Sequence, residues 1–570
     1  MRGLLTTSTF ALLLRNAAAA PLLTRAADWT SETYDYIVVG AGPAGIIVAD
    51  RLSETGKKTL LLEQGGPSYG ITGGRERPDW LNGTDLSRVD VPGLYNTIFS
   101  GSPSLLCKDV GSVFGGCTLG GSSAINAGLY FEPPASDWDT YFPTTWNSTN
   151  VDASIRRLYE RQPFLEVDAP SNVESSFDAV KTWLIDGAGY EETVFNDNPD
   201  QKEAVFGRPS YNYKDGQRGG PVTTYLQSAL QRPNFSLQSN VTVKRAARSG
   251  SKATGVLITA DGSEATINLT PNGRIIFSGG AIASPALLMK SGIGPEDVLT
   301  NLSNAGVLDP SLSPSCWLNN TSVGSGLFDN PNTFILLSSP FISSYTYSYT
   351  DPSPSDVNLY LTNRTGPYSF AGQTAVFWTY LNHTDSTPPT GLQGTISTAG
   401  YSDFTNASTI TLNVYGTSGL LSTGRVSLLP SPSDPQKFIP SGGDGNFYSD
   451  AQGRDADDIA TFIHELFAAL DKSGSGLEPL NIPRNASKEE IRTYITTPSK
   501  YARGLTQHWS SSCRMRSCVD EMTRVVGMEN LHVIDASIVA PLTVNPQFGV
   551  MVAGERGAEL IWELDGVGKR

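Results

Sequence analysis

The chain is poor in cysteine and histidine. It has 5 cysteines and 4 histidines in 570 residues. Such low numbers exclude a disulfide-dense scaffold and a histidine-rich metal site, and no cysteine or histidine spacing matches that of a metal centre. The sequence therefore predicts no bound metal. Because 5 is an odd number, at least one thiol stays unpaired unless it pairs between chains.

The cysteines fall into two close groups and one isolated position. Cys513 and Cys518 are near enough in sequence to bridge, although the distance between their Cα atoms cannot be read from the sequence. Cys107 and Cys117 are interpreted as small buried side chains.

Basic residues are also scarce relative to acidic ones. The chain has 41 Lys and Arg against 56 Asp and Glu, which gives a net charge of −15 and a pI near 4.8. This balance argues against nucleic acid or an anionic membrane surface as a partner. Beyond the N-terminus, no uncharged run is long enough to span a bilayer. The length instead predicts a globular protein of two domains, possibly interleaved.

The N-terminus has the pattern of a secretory signal peptide. Arg2 precedes an apolar stretch over residues 4–14, and an alanine run ends at Pro21, so we expect a leader over residues 1–20. N-x-S/T sequons support export, and they begin at Asn82, Asn147, Asn234, Asn240, Asn268, Asn301, Asn319, Asn320, Asn363, Asn382, Asn406 and Asn485. The sequence therefore predicts a glycoprotein that is secreted or held in a secretory compartment.

The most informative motif lies just after this leader. The apolar run Tyr36–Val39 leads directly into a G-x-G-x-x-G pattern, whose glycines are Gly40, Gly42 and Gly45. Apolar residues then recur at helical spacing, and a second strand-like run, Thr59–Leu62, ends on Glu63. Strand, glycines, helix, strand and terminal acid in this order form a βαβ dinucleotide fingerprint.

Each element of the fingerprint has a physical role. Gly40 permits the tight turn, Gly42 lets the backbone approach a pyrophosphate, and Gly45 lets the helix pack close to the strand. The helix N-terminus supplies amide donors and the positive end of a dipole. Glu63 is placed to accept hydrogen bonds from a ribose diol. The sequence therefore predicts that the chain binds an adenine dinucleotide.

The rest of the chain shows alternating patterns. Helical periodicity over residues 152–195 breaks near Pro170, and a β-meander is expected over residues 240–276 with turns at Asp261-Gly262 and Asn272-Gly273. Residues 305–450 favour a largely antiparallel sheet. An amphipathic helix is expected over residues 456–471, and strand-then-helix character resumes from Leu531.

Four separated segments resemble one family. They are the fingerprint, the glycine cluster 115–126, the segment 280–295 and the tail from His508 to Gln547. In this order they are typical of flavin-dependent glucose–methanol–choline (GMC) oxidoreductases. Within that family the chain is similar to the flavodehydrogenase part of fungal cellobiose dehydrogenase, for example at residues 107–109 and 220–226. It also resembles versicolorin B synthase, a member that catalyses a cyclisation.

The resemblance implies FAD as the cofactor and an α/β fold. An FAD-binding Rossmann-like domain would be interleaved with an α+β substrate domain built on a mostly antiparallel sheet. The FAD-binding domain would be discontinuous and comprise residues 34–70, 100–130, 215–300 and 505–565. The substrate-binding domain would comprise residues 71–99, 131–214 and 301–504.

The resemblance also assigns further cofactor-binding residues. The loop 115–126 has many backbone amides and few obstructing side chains, which suits a second phosphate or flavin cradle, with an ordinary glycine-rich turn as the alternative. By analogy Val241 or Val243 would flank the adenine, although as strand residues they could equally belong to the core. The other residues expected to contact the cofactor are Ser122, Ser123, Asn126, Asp535, Ala536, Pro546 and Gln547.

His508 is the strongest catalytic candidate. It precedes Trp509 in a polar loop, at the position of the family's catalytic histidine, and Asn545 occupies the partner position. Alcohol oxidation needs a base for the hydroxyl proton, and neutral imidazole suits that role. The flavin would accept the hydride at N5, and the amide of Asn545 could orient the substrate oxygen.

The sequence thus predicts a secreted FAD-dependent oxidoreductase that acts on a CH–OH group of a small-molecule alcohol or lactol. The alternative is a biosynthetic enzyme that acts on a polyketide or aromatic intermediate, by lactone formation or non-redox cyclisation. The electron acceptor, oxidase or dehydrogenase character and oligomeric state do not follow from the sequence.

Overall fold

The computed structural model describes residues 29–108, 114–166, 174–384, 387–442 and 447–567. The predicted leader and Pro170 lie outside the described residues. Within the described part of the chain, no helix is long and apolar enough to cross a membrane.

In chain order, the α-helices of the described residues are α1 Pro43–Ser53, α2 Tyr95–Gly101, α3 Ala135–Tyr141, α4 Ser148–Arg161, α5 Glu174–Thr182, α6 Tyr225–Ala229, α7 Gly280–Lys290, α8 Glu296–Asn304, α9 Pro354–Asn363, α10 Arg454–Leu470, α11 Lys488–Thr496 and α12 Gln547–Leu564. The strands of the two large sheets are β1 Thr33–Val39, β2 Thr59–Leu62, β3 Glu191–Glu192, β4 Val205–Gly207, β5 Phe235–Gln238, β6 Val241–Ser249, β7 Lys252–Ala260, β8 Ser263–Phe277, β9 Pro331–Ser338, β10 Gln373–Leu381, β11 Thr390–Ser397, β12 Thr409–Gly416, β13 Glu478–Pro479, β14 Gly504–Leu505 and β15 Leu531–Val533.

Over the described ranges, the first sheet has seven strands in the order β6-β7-β8-β1-β2-β5, with β15 also pairing with β8. Strand β1 is parallel to β2 and β8, β5 is parallel to β2, and β15 is parallel to β8. Helices α1 and α12 pack against each other beside this sheet. Both faces of a parallel sheet are covered, which explains why β1 and β2 are continuous apolar runs. This is the predicted α/β dinucleotide-binding arrangement.

The predicted β-meander is present, with one difference. Strands β6, β7 and β8 are antiparallel neighbours, and the turn at Asp261-Gly262 joins β7 to β8. The second expected turn, at Asn272-Gly273, is wrong because these residues lie inside β8. The pairing of β8 with β1 shifts between Tyr34 and Tyr36, so an irregularity absorbs the extra residues without reversing the chain.

The second sheet has eight strands among the described residues, in the order β13-β9-β12-β11-β10-β4-β3, with β14 also pairing with β9. All of these pairs are antiparallel except β3 with β4. The mostly antiparallel sheet is therefore confirmed. Alternate residues of β11 and β12, such as Leu392 and Leu412, pack in one core with the apolar face of α10. On both strands, the residues that alternate with these point to the opposite face of the sheet.

The chain passes between the two cores several times. Sheet one takes strands from residues 33–62, 235–277 and 531–533, and sheet two takes strands from residues 191–207 and 331–505. Helix α4 packs against α12, and Trp146 belongs to the first core. The domain boundaries themselves stay predictions.

The cysteines form two disulfides. Cys513–Cys518 is bonded as the spacing allowed, and Cys107–Cys117 is bonded as well, with Cα atoms 4.8 Å apart. The interpretation of Cys107 and Cys117 as small buried side chains is therefore wrong. Backbone hydrogen bonds from Cys107 to Gly115 and from Cys117 to Leu105 bring the two residues together. Cys316 is free and exposed.

Candidate active site

The first glycine loop sits where β1, α1 and the end of β8 meet. Gly40 has a φ of +103°, and a Cβ there would lie 2.4 Å from the carbonyl oxygen of Ser278. A Cβ on Gly45 would lie 1.9 Å from the carbonyl oxygen of Gly40. Both positions therefore require glycine for the turn and for the close approach of helix to strand.

Gly42 differs from Gly40 and Gly45. Its backbone is extended, with φ −71° and ψ −179°, and the atom nearest to a Cβ at this position would be the carbonyl oxygen of Ser278 at 3.9 Å. Neither strain nor packing requires glycine here. No side chain caps the N-terminus of α1, so its first amides are left for another acceptor. Open space at a helix N-terminus fits the pyrophosphate of a dinucleotide.

Glu63 lies at the end of β2 and is buried. Its Oε2 accepts a 2.8 Å hydrogen bond from the Ala41 amide, and its Oε1 accepts a 2.9 Å hydrogen bond from the Gly65 amide. Burial raises the pKa of its carboxyl to about 7. The carboxylate thus ties the glycine loop to the segment after β2. Its hydrogen bond to a ribose stays a prediction.

The second glycine cluster packs directly on the first. The amide of Gly120 donates to the carbonyl oxygen of Ala41 at 2.8 Å. A Cβ on Gly121 would lie 2.8 Å from Gly42 Cα. The hydroxyl of Ser123 donates to Gly120 within its own turn, whereas Ser122 is exposed. The structure therefore brings both loops to the same place.

Asn126 joins the second loop to the far end of the chain. Its Nδ2 donates to Gln547 Oε1, at the first residue of α12. Its Oδ1 accepts from the Gly128 amide at 2.9 Å and from Arg218 Nη1 at 3.0 Å. Two predicted cofactor residues that are 421 positions apart are thus in contact.

Arg218 was missed in the sequence, where nothing distinguishes it from other arginines. It is buried, its Nε donates to the Val89 carbonyl oxygen at 3.0 Å, and its Nη1 also reaches the Ser123 carbonyl oxygen. Its Nη2 is buried without a hydrogen-bond partner among the described residues. Arg218 therefore holds the loop that contains Asn126 in place.

The other predicted cofactor residues have structural contacts of their own. Asp535 Oδ2 accepts from the Gly280 amide at 2.8 Å and from Ser284 Oγ, so it ties the start of α7 to the C-terminal segment. Ala536 follows it, and Pro546 immediately precedes α12. Val243 is partly buried against the first core. Contacts of these residues with the cofactor stay predictions.

The structure brings His508 and Asn545 together. Asn545 Nδ2 lies 3.3 Å from His508 Nε2, and Asn545 is 7% exposed. Burial lowers the pKa of His508 to about 4, so its imidazole is neutral at pH 7. The ring of Tyr415 meets the imidazole edge to face, with ring centres 5.9 Å apart. A neutral imidazole in these surroundings can accept a proton from a hydroxyl group.

The other side of the imidazole contacts a segment that sequence analysis did not single out. Asn330 Oδ1 lies 2.9 Å from His508 Nδ1, and the carboxylate of Asp329 accepts a 2.7 Å hydrogen bond from the His508 amide. Burial raises the pKa of Asp329 to about 7, although several backbone amides favour its carboxylate form. No motif in the sequence connects these residues to His508.

Strands β11 and β12 complete the site. Gln393 Nε2 donates to Asn545 Oδ1 at 2.9 Å, and Gln393 is the cross-strand neighbour of Tyr415. Thr395 and Asn413 follow as the next pair on the same face. The side of the second sheet that faces His508 is thus lined at this point by uncharged polar groups. The sequence predicted this sheet, but not which of its faces would meet the histidine.

The remaining histidines have other partners. His532 is buried on β15, 3.0 Å from Thr523 Oγ1, and His383 lies 3.4 Å from the carboxylate of Asp458. His464 is exposed on α10. The described residues contain no group of three metal-ligating side chains.

The fold and site define a dinucleotide-binding enzyme with a histidine–amide pair. The chain belongs to the GMC oxidoreductase family, whose N-terminal model matches residues 34–332 and whose C-terminal model matches residues 421–554. The predictions of this family, of its fold class, of FAD as cofactor and of an FAD-dependent GMC oxidoreductase are therefore confirmed.

Individual relatives agree with this assignment. The chain is 26% identical to sinalpyl alcohol oxidase Nec3 of Nesocodon mauritianus over 92% of its length and 88% of that protein. It is 24% identical to dehydrogenase eriK of Hericium erinaceus, over 96% of this chain and 97% of that one. A formate oxidase variant of Aspergillus oryzae has a similar fold, with a TM-score of 0.75 at 19% identity, over 95% of this chain and 100% of that one. With several other curated relatives, the match spans about half of their length.

Proposed function

We propose that the protein oxidises the CH–OH group of a neutral small molecule, an alcohol or lactol, with His508 as the base and Asn545 orienting the hydroxyl. The observation that carries this proposal is the 3.3 Å approach of Asn545 Nδ2 to His508 Nε2. A hydroxyl oxygen near both atoms would give its proton to Nε2 and accept a hydrogen bond from Nδ2.

FAD, when bound, supplies the acceptor for the hydride that leaves the carbinol carbon. The glycine loops at Gly42 and Gly121, together with the start of α1, are the groups that would hold it. The protein's own part is to keep His508 neutral and to align the hydroxyl.

The surroundings of His508 favour an uncharged substrate. The side chains of Asn330, Gln393 and Tyr415 contact the side chains of His508 or Asn545, and all three are uncharged at neutral pH. The carboxylate of Asp329 is occupied by backbone amides. A charged substrate would lose its hydration here without gaining an opposite charge.

An anaerobic screen tests the proposal. The holoenzyme is mixed with sugars, aryl alcohols and polyketide lactols, and flavin reduction is followed by its loss of visible absorbance, then repeated in air. We expect reduction by a neutral CH–OH compound. Product formation without flavin reduction would overturn the proposal and favour the non-redox cyclisation. The repeat in air shows whether oxygen is the electron acceptor.

We also propose that the protein is secreted. Two disulfides are typical of an oxidising compartment. Nine of the twelve sequon asparagines are exposed: Asn82, Asn240, Asn268, Asn301, Asn319, Asn363, Asn382, Asn406 and Asn485. Of the other three, Asn234 and Asn320 use their amide nitrogens inside the protein.

The sequons give a site-resolved prediction. The Asn234 amide nitrogen donates to the carbonyl oxygens of Ser53 and Lys57, and Asn320 is 9% exposed. A glycan on either residue would break these contacts, so folded secreted protein should carry glycans at exposed sequons and none at these two. Glycopeptide mass spectrometry after expression in a eukaryotic secretory host checks this. Glycans on Asn234 or Asn320, or a complete absence of glycans, would contradict it.

The pH dependence of the reaction follows from the burial of His508. Because burial lowers its pKa to about 4, the neutral base is fully present well above that value and is lost as pH falls through it. We expect the rate constant of flavin reduction at saturating substrate to stay level down to roughly pH 5 and to fall below it. Stopped-flow traces, with flavin retention checked at each pH, measure this. An inflection near the ordinary histidine value of about 6.5 would contradict it.

A further inference from the structure

We propose that Asn330 is a positioning residue that fixes the tautomer of His508, with the proton on Nδ1 and the lone pair on Nε2. The 2.9 Å contact between His508 Nδ1 and Asn330 Oδ1 carries this inference. Its consequence for catalysis rests on the proposed function, whereas the tautomer can be measured without any turnover.

The orientation of the Asn330 amide is decided by a group other than His508. Asn330 Nδ2 lies 2.7 Å from the carbonyl oxygen of Gly416, at the end of β12. A carbonyl oxygen accepts hydrogen bonds and cannot donate one, so the NH₂ group of Asn330 must face it. The amide oxygen is therefore turned toward the imidazole. Since that oxygen has no proton, His508 Nδ1 must be the donor.

The position of Asn330 is itself held by its neighbours. Asn330 is 5% exposed. Its backbone amide donates to Asp329 Oδ1 at 2.9 Å, and its backbone carbonyl oxygen accepts from Thr506 Oγ1 at 2.6 Å. The same Asp329 oxygen accepts from the His508 amide at 2.7 Å. One buried carboxylate thus holds the backbones of both residues, which fixes the geometry of their side-chain contact.

The contacts of Nε2 agree with this assignment. Gln393 Nε2 donates to Asn545 Oδ1 at 2.9 Å, which turns Asn545 Nδ2 toward His508. An NH₂ group that faces Nε2 can donate a hydrogen bond to a lone pair there, whereas it would be repelled by an N–H. The amide of Asn330, which the backbone carbonyl of Gly416 orients, selects this tautomer, and the orientation of Asn545 agrees with it. It is the one that leaves Nε2 able to accept a substrate proton.

The test uses the small number of histidines. With four in the chain, long-range ¹H–¹⁵N spectra of the holoenzyme labelled at histidine contain few imidazole signals, and the spectrum of His508→Asn assigns that of His508. We expect the wild type to show a protonated Nδ1 and an unprotonated Nε2. In Asn330→Leu the signal should move toward the other tautomer, and the rate constant of flavin reduction should fall about tenfold or more.

A conservative variant separates positioning from structure. In Asn330→Asp one oxygen of the carboxyl group still accepts from Nδ1, so the tautomer should persist. Asn530→Leu is the matched control, because it removes another buried amide, one that binds Ala253 and Gly273 on the first sheet. It should leave the His508 signal unchanged.

The experiments distinguish a failure of this proposal from a failure of the proposed function. A wild-type tautomer signal in Asn330→Leu would overturn the role of Asn330. Normal flavin reduction in His508→Asn would overturn the role of His508 as base, and the tautomer assignment would then still stand or fall on the spectra alone.

Discussion

Replacing His508 with asparagine is expected to slow flavin reduction by the substrate by roughly 10²–10⁴-fold, while FAD stays bound. The imidazole that is removed lies 3.3 Å from the side-chain nitrogen of Asn545. Asparagine is chosen because its Nδ2 can still donate to the buried Asn330 Oδ1. Alanine would leave that oxygen without a hydrogen bond, which would cost about 1–3 kcal/mol of stability. Anaerobic stopped-flow measurement at saturating substrate gives the rate constant.

His464→Ala serves as the control, since His464 is exposed on α10. In the His464→Ala variant the substrate should reduce the flavin at the wild-type rate. Flavin content and thermal unfolding of both variants, compared with wild type, exclude a general loss of structure. A wild-type rate in His508→Asn would show that another group takes the proton.

Replacing Gly42 with valine is expected to weaken FAD binding to the folded protein, with the dissociation constant raised on the order of 100-fold or more. The backbone at Gly42 is extended and allows any residue, and the nearest atom to a Cβ there is 3.9 Å away. The protein itself therefore has room for a Cβ at this position. The added carbons would fill the space at the N-terminus of α1 where a pyrophosphate fits.

Gly474→Val is the matched control, because Gly474 is exposed and a Cβ there meets nothing within 4 Å. Fluorescence titration with FAD measures affinity, and circular dichroism checks the fold. Added FAD should raise the unfolding temperature of the control and not that of Gly42→Val. Wild-type affinity in Gly42→Val would exclude this loop as the cradle. Gly45 is a poorer probe, since a Cβ there collides with Gly40 itself.

Local patterns predicted much of the fold. The apolar run before Gly40 and the helical spacing after Gly45 are contiguous, so strand β1 and helix α1 could be recognised without any long-range information. The same holds for α10, whose apolar face repeats at the helical period. The turn expected at Asn272-Gly273 was wrong because its residues lie in a strand that pairs with β1, more than 230 positions earlier in the chain. A turn motif of neighbouring residues carries no information about a strand partner so distant in the sequence.

The candidate site was predicted in part. His508 and Asn545 came from a resemblance, and the structure brings them into contact. Asn330 and Gln393 were not found, since each is a single polar residue within or beside a strand and carries no spacing signal. The disulfide between Cys107 and Cys117 was missed for a similar reason, because backbone pairing around a loop brings the two together.

Residue order alone was enough to establish that the chain holds a dinucleotide through a strand–glycine–helix unit, because that unit is built from neighbouring residues whose conformations are local. The surroundings of the histidine depend instead on long-range folding. The second sheet turns Gln393 and Tyr415 toward it, and Asn330 reaches it from 178 positions away. Which atom of His508 can take a proton depends on these contacts, because the imidazole can carry its hydrogen on either nitrogen until a neighbour selects one.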